Sequence, residues 1–381
     1  MLRIKATCAI IRNVKAYKFK IKPNKKFVAK CESTLKVCRE LYNAALQERR
    51  DAYRITGKSV NYHHQRAQLP EIKQEREDVA ALYSQVAQDI LRRVSRTYDA
   101  FFQRCLKGQK PGFPRFKAKD RFDSFCYPQS GFRLEGDKLH LSKIGSCRIR
   151  LSRKIEGAIK TCTIKKQADG WFVIFAVEDN LSRWFPKTGE MVGVDLNVSN
   201  FATLSTGEVI DNPRYLKESE LELKIAQRKV SKKKKGGKNR KKAVHRLARK
   251  HLKVANQRRD FFHKLSLQLI REFDTTVFED LNIKGLLKNH HLAKSISDVG
   301  WGTFINIHKG KAEEAGRVVK KVPPHFTTQE CSRCGNRVKL SLAIREYRCM
   351  ECGLVLARDH NAAINIMVRA EPLARVNTVT Q

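Results

Sequence analysis

The stretch MVGVDLNVSNFATLSTGEVI, residues 191–210, decides the fold. It reads as two β-rich runs separated by Val198-Ser199-Asn200 and closed by a turn at Thr206-Gly207. Asp195 lies inside the first run, between Val194 and Leu196, where a carboxylate is out of place if the strand serves only as core. Downstream, TTVFEDL (275–281) and RVVKKV (317–322) are strand-like, FINIHKGKAEEAG (304–316) between them has a helical half, and a last helix is expected from about Asn361. A hairpin followed by strands alternating with helices outlines an α/β sheet interrupted by insertions.

The largest insertion runs from Pro213 to about Phe273 with a helical pattern. Between Arg228 and Arg259 it carries 16 Lys or Arg in 32 residues and no Asp or Glu. Gly236 and Gly237 break it, so two basic helices joined by an elbow are expected. A basic run is commonly a solvated helix face; one this long and uncompensated suits a groove that tracks phosphates, each contact releasing a counterion.

Upstream, residues 3–22 alternate loosely up to Pro23, as a strand does. Phe27, Cys31, Leu35, Cys38, Leu41 and Ala45, then Val79, Leu82, Val86, Ile90, Val94 and Tyr98, recur every three to four residues, as two helices do. KPGFPRFKAKDRFDSF (110–125) is turn-rich and basic, and CRIRL (147–151), TCTIKK (161–166) and WFVIFAV (171–177) look like strands. The expected organisation is an α/β multidomain chain: a β-barrel from 1–24 and 108–185 with helices 25–107 inserted, then a second domain, 186–381, interrupted at 213–273 and 325–357. Phe113, Arg115, Phe116, Lys117, Arg121 and Phe122 interleave rings and cations as a base-stacking surface would, although Phe113 and Phe116 suit core plugs equally.

Of 381 residues, 78 are Lys or Arg and 38 Asp or Glu, a formal net charge of +40. Such a chain repels itself unless a polyanion is present. Its 41% hydrophobic content supports sizeable cores, which excludes a disordered basic tail. The apolar run Trp171–Val177 falls far short of the roughly 18 residues a membrane span needs, and charges interrupt any signal-like run in MLRIKATCAIIRNVKAYKFK, so no membrane is expected. Eleven cysteines, seven of them scattered, fit a reducing compartment, and a cytoplasmic, nucleoid-associated location is expected.

The other four cysteines form Cys331-Ser-Arg-Cys334-Gly and Cys349-Met-Glu-Cys352-Gly, two knuckles separated by 14 residues. Zinc takes four soft ligands in a tetrahedron, and glycine after each pair allows the tight turn toward the metal. Four thiolates leave no open coordination position, so this zinc is structural and the chemistry lies elsewhere. In a chain short of acid, Asp195, Glu279 with Asp280 at the end of the TTVF run, and Asp359 at a helix start suit Mg²⁺, which binds one or two carboxylates plus phosphate oxygens and water. Asp359 could equally be a helix cap, and Glu279 a strand-edge solubiliser.

GVDLNVSNFATLS (193–205), VFEDL (277–281), SISDVGWGTF (295–304), TTQECSRCG (327–335) and YRCMECG through ARDHNAAINI (347–366), with KPGFPRFK (110–117) upstream, resemble the TnpB family of transposon-encoded RNA-guided DNA nucleases, relatives of compact type V CRISPR effectors. The resemblance implies a wedge-like N-terminal barrel, a helical recognition insert, and a RuvC-type, RNase H-like domain bearing a basic lid and a zinc ribbon. It implies that Asp195, Glu279 and Asp359 are the catalytic acids, holding two Mg²⁺, with Asp280 a neighbour. Implied partners are a guide RNA from the transposon end and double-stranded target DNA with a short flanking motif; Tyr53, Lys58, Asn61, His63, His64 and Gln65 are polar candidates for reading that motif, or plain surface. The oligomeric state is not implied. A nuclease-inactive guided repressor is the alternative, against which the intact acids weigh. A strand-transferring transposase would need an end-binding helix-turn-helix, and none is legible. His308 and Gly310 depart from the apolar and aromatic residues usual in the family and put the packing of their helix in question.

Overall fold

The computed structural model describes residues 13–179, 185–341 and 344–370. The expected strand residues 3–12 and the junction near 180–184 lie outside the described residues. The chain divides into two compact units, Met1–Leu181 and Ser182–Gln381.

In the first unit, β1 (Asn13–Lys22) leads through Pro23 into α1 (Lys25–Thr56), whose start is capped by Asn24, the side chain accepting from the Phe27 N–H at 2.8 Å. Three short helices follow, α2 (Tyr62–Ala67), α3 (Leu69–Glu75) and α4 (Glu77–Ala80), then α5 (Ser84–Leu106). The remaining strands are β2 (Ser124–Tyr127), β3 (Phe132–Glu135), β4 (Lys138–Leu141), β5 (Gly145–Arg150), β6 (Ala158–Gln167) and β7 (Gly170–Asp179). They pair with β1 in an antiparallel sheet of order β2-β6-β7-β1-β5-β4-β3. Among the described residues no ladder joins the outer strands β2 and β3, so the expected barrel is seen as a sheet of open order. Phe19, Phe125 and Phe175 from the sheet share one buried core with Cys31 and Leu35 of α1 and Ile90 and Val94 of α5. Each such side chain contributes roughly 1.5–3 kcal/mol of burial.

The candidate motif readers around the end of α1 divide by role. Gln65 is buried, donating to the Ala45 carbonyl and accepting from Arg49, while Asn61 caps α2 and His64 completes that capping box. Tyr53, Lys58 and His63 are exposed.

The second unit contains β8 (Met191–Leu196), β9 (Ala202–Leu204), β10 (Val209–Ile210), α6 (Tyr215–Ser231), α7 (Lys238–Glu272), β11 (Thr275–Glu279), α8 (Ile283–Leu286), α9 (Ala293–Val299), α10 (Trp301–Glu314), β12 (Val318–Val322), β13 (Glu346–Arg348), β14 (Val355–Ala357) and α11 (Arg358–Arg369). Its main sheet has the order β10-β9-β8-β11-β12; β8, β9 and β10 form an antiparallel meander, and β11 and β12 run parallel to β8. Crossovers between the parallel strands account for the intervening helices.

Helix α11 crosses β8 at Gly193, where an added Cβ would stand 2.1 Å from the Ala363 carbonyl oxygen and 2.7 Å from the Met367 nitrogen. Only glycine permits that approach. On the other side, Phe201, Phe262, Phe278 and Phe304 form an aromatic core with mostly edge-to-face or tilted rings. His308 of α10 is fully buried in contact with this cluster, its Nδ1 3.1 Å from Ser266 Oγ, while a Cβ on Gly310 would meet nothing within 4 Å. Ser266 thus meets one ring nitrogen of His308, whose Nε2 is buried with no hydrogen-bond partner among the described residues, while Gly310 faces open space.

Candidate functional site

Parallel pairing sets Phe278 opposite Val194, which brings the next residue, Glu279, to the carboxyl end of the sheet beside Asp195. The close approach at Gly193 seats α11 there too, with Asp359 in its first turn. Sequence periodicity places the start of this helix at about Asn361; it begins three residues earlier, directly from β14.

Asp195 is only 7% exposed, and its carboxyl is pushed up to about 8, first by burial and then by the charges of Glu279 and Asp359, with Arg358 and Asn197 pulling the other way. Burial also raises the Glu279 carboxyl, against a hydrogen bond from Thr327 and the charge of Arg369. Asn197 Nδ2 reaches Asp359 Oδ2 at 3.4 Å, and the Arg358 guanidinium lies 3.3 Å from Asp359 Oδ1. Thr327 Oγ1 donates to Glu279 Oε1 at 2.5 Å. Thr203, cross-strand from Asp195 and so on the same face, has a buried hydroxyl with no hydrogen-bond partner among the described residues. Asp280 pairs with Lys321 at 2.8 Å and is exposed.

Of the acids singled out in the sequence, Glu279 and Asp359 are thus both within electrostatic reach of Asp195. Asn197, Thr203 and Thr327 carry no such signal, because an amide or hydroxyl two residues past an acid, or four before a cysteine, is ordinary in a sequence.

Among the described residues, Cys331, Cys334, Cys349 and Cys352 alone form a group of three or more metal-ligating side chains with ligand atoms all within 4.8 Å of one another. Two Sγ pairs, Cys331 with Cys352 and Cys334 with Cys349, are 3.5 Å apart, close to the ~3.8 Å edge of a tetrahedron built on ~2.3 Å zinc–sulfur bonds. Gly335 and Gly353 have φ of +77° and +69°, the turn conformation expected after each knuckle. Backbone N–H groups of Cys352 and Glu351 pull the Cys349 thiol down from the usual range. The ladder of β13 with β14 closes this module, which runs directly into α11.

The basic insertion folds back at residues 232–237, so that α6 and α7 enclose a groove of about 480 Å³ lined by Lys229, Lys233, Lys242, Arg246 and Lys250, with Glu222 paired to Lys250. Its base is fastened by Asp298, which accepts from Arg258 at 2.9 Å and from the Leu216 N–H at 3.3 Å. In the other unit, Phe113 and Phe116 are 48% and 43% exposed and the Arg50 guanidinium lies 5.6 and 5.3 Å from their ring centroids, so they are surface rings and not core plugs.

A family model described as "Probable transposase" matches residues 175–290, one described as "Cas12f1-like, TNB domain" matches 301–366, and one described as "Helix-turn-helix domain" matches 14–58. That last segment forms β1 and the single helix α1, without a turn between two helices. A Streptomyces pristinaespiralis protein named "Putative RNA-guided DNA endonuclease" is 36% identical over 364 residues, 93% of this chain and 88% of its own. Its Escherichia coli K12 namesake InsQ is 28% identical over 97% of this chain and 96% of its own. The fold is similar to a solved structure described as a Cas12f1–sgRNA–target DNA complex, with a TM-score of 0.58 at 16% identity over 88% of this chain and 82% of that one. With 36% identity to a named RNA-guided DNA endonuclease over 93% of this chain, and family models matching 175–290 and 301–366, the chain belongs to the TnpB family of transposon-encoded RNA-guided DNA endonucleases, related to the compact type V CRISPR effectors.

Proposed function

We propose that this chain is an RNA-guided DNA endonuclease that cuts at Asp195, Glu279 and Asp359 on a RuvC-type, RNase H-like sheet, with Mg²⁺ as cofactor. The observation that carries the reading is the meeting of three acids from three separate elements, β8, β11 and α11, in a chain of net charge +40. Burial first, and then the charges of Glu279 and Asp359, raise the Asp195 carboxyl; a divalent cation would relieve that repulsion, and carboxylates are the donors Mg²⁺ takes beside phosphate oxygens and water. The unpartnered Thr203 hydroxyl on the same face is a further polar group suited to a hydrated ion. When bound, such ions supply a water of lowered pKa and charge for the leaving oxygen of a phosphodiester.

The side chains do the positioning. Asp195 and Asp359 face the site from strand and helix, Asn197 steadies Asp359, and Thr327 steadies Glu279. The four thiols fit Zn²⁺, and a closed tetrahedron would make it a structural ion in a ribbon spanning 325–357.

In this reading the first unit, a wedge of residues 1–24 and 108–185 with the recognition insert 25–107, carries a guide RNA. Residues 186–381 are the nuclease domain, with 213–273 as its basic lid. Pairing of the guide with double-stranded DNA supplies sequence choice, and the protein reads only a short flanking motif. What supports this is the exposed cation-bearing surface: the α6–α7 groove and the Arg50–Phe113–Phe116 stack.

The deciding experiment is cleavage of a plasmid carrying a guide-matched target beside its motif. Protein loaded with guide RNA is expected to cut in Mg²⁺ and Asp195→Ala to fall to background. Equal cutting by Asp195→Ala refutes the site.

A further inference from the structure

Helix α11 carries three polar side chains four residues apart, Asn361, Asn365 and Arg369, which form a stripe along one face. All three grip one loop, residues 323–332. Arg369 donates to the carbonyls of Pro323 and His325 at 2.9 and 2.7 Å and pairs with Glu330 at 2.7 Å. Asn365 donates to the carbonyls of Thr327 at 2.9 Å and Glu330 at 2.7 Å. Asn361 donates to the Glu330 carbonyl at 2.7 Å and accepts from the Ser332 N–H at 2.9 Å.

The loop so held keeps Phe326 at φ +64°, a left-handed backbone that a bulky residue rarely adopts. The next side chain, Thr327, is 3% exposed, and its hydroxyl lies 2.5 Å from Glu279 Oε1 but 3.4 Å from its other acceptor, the Pro324 carbonyl. One hydroxyl proton serves one acceptor well, and the shorter contact takes it. Four residues on, the same loop delivers Cys331 to the thiol cluster.

We infer that Thr327 is a positioning residue for Glu279: its hydroxyl fixes the carboxylate for a divalent cation, and the α11 stripe ties that bond to the loop entering the cysteine module. The inference rests on the acid-site reading above. Outer partners of this kind orient metal ligands without touching the metal.

The test uses full-length, guide-loaded protein with Mn²⁺ as the probe, its binding followed by electron paramagnetic resonance, alongside the Mg²⁺ dependence of cleavage. Thr327→Val keeps the shape and removes the hydroxyl. It is expected to weaken Mn²⁺ binding, and to raise the Mg²⁺ concentration for half-maximal cleavage, by about tenfold, the scale of losing an outer ligand partner. Saturating Mg²⁺ should restore its rate, Thr327→Ser should restore both readouts, and zinc content should stay at the parent's level in each. Parental metal dependence in Thr327→Val overturns the inference. So does equal impairment of the Ser and Val variants with zinc loss, which marks a purely structural role. Failure of the acid-site reading is distinguishable: Asp195→Ala would then cut and bind Mn²⁺ as the parent does.

Discussion

His308 shows what a titratable side chain does when it is held inside an aromatic core. Burial pushes its imidazole down to about 4, with the Lys311 charge adding to the effect, and its surroundings are Ser266 Oγ and the rings of Phe278 and Phe304. The unfolded imidazole titrates near 6.5, so between about 6.5 and 4 the unfolded chain takes up a proton that the folded chain refuses. Stability therefore falls as pH falls through that window, by about 3 kcal/mol at most from this group. His308→Gln, which keeps a polar partner for Ser266 but does not titrate, should flatten the decline in urea-melt stability from pH 7 to pH 4. An unchanged slope would assign it to other groups. At this scale Asp195 is legible because it offends its context, interrupting Val192, Val194 and Leu196, whereas Glu279 and Asp359 suit ordinary strand-edge and helix-cap places and stand out only through the motifs around them. Thr327 is not legible, since its role comes from a contact 48 positions away in the chain.

At the scale of elements, the contact of α11 with β8 decides where Asp359 stands. The two nearest atoms to a Cβ at Gly193, the Ala363 oxygen and the Met367 nitrogen, are backbone, and the third, Met367 Cβ at 2.9 Å, is fixed by the backbone, so no rotamer change can make room for a methyl group. Gly193→Ala is expected to destabilise the domain by about 1–3 kcal/mol or more and, if the proposed site holds, to depress cleavage beyond what the lost stability explains, because the displaced helix carries Asp359. Thermal melts and cleavage rates on one preparation check this; a variant with parental Tm and rate would show that α11 seats elsewhere. Periodicity alone makes the long helices α1, α5 and α7 and the strands β8 and β11 readable in the sequence. The short helices α2, α3 and α4 hold too few residues to show a period, and the sheet order of the first unit depends on pairings such as Ala16 with Ala176 that no local pattern encodes.

For the molecule as a whole, a net charge of +40 means that folding alone leaves the electrostatics uncompensated. Acids do neutralise cations at particular places, as Glu222 does Lys250 and Glu220 does Lys294, but the α6–α7 groove keeps Lys229, Lys233, Lys242 and Arg246 around a single acid. If that groove tracks a duplex, each cation lost should remove about one phosphate contact, worth about 0.9 in the slope of log affinity against log salt. Replacing those four with Gln should therefore lower the slope magnitude for non-specific duplex DNA by roughly 3 to 4, measured by fluorescence anisotropy across a salt series. Cleavage of guide-matched target should weaken most at high salt, where the remaining contacts are already screened. An unchanged slope would mean that the duplex lies on another face and that these cations only solvate the lid.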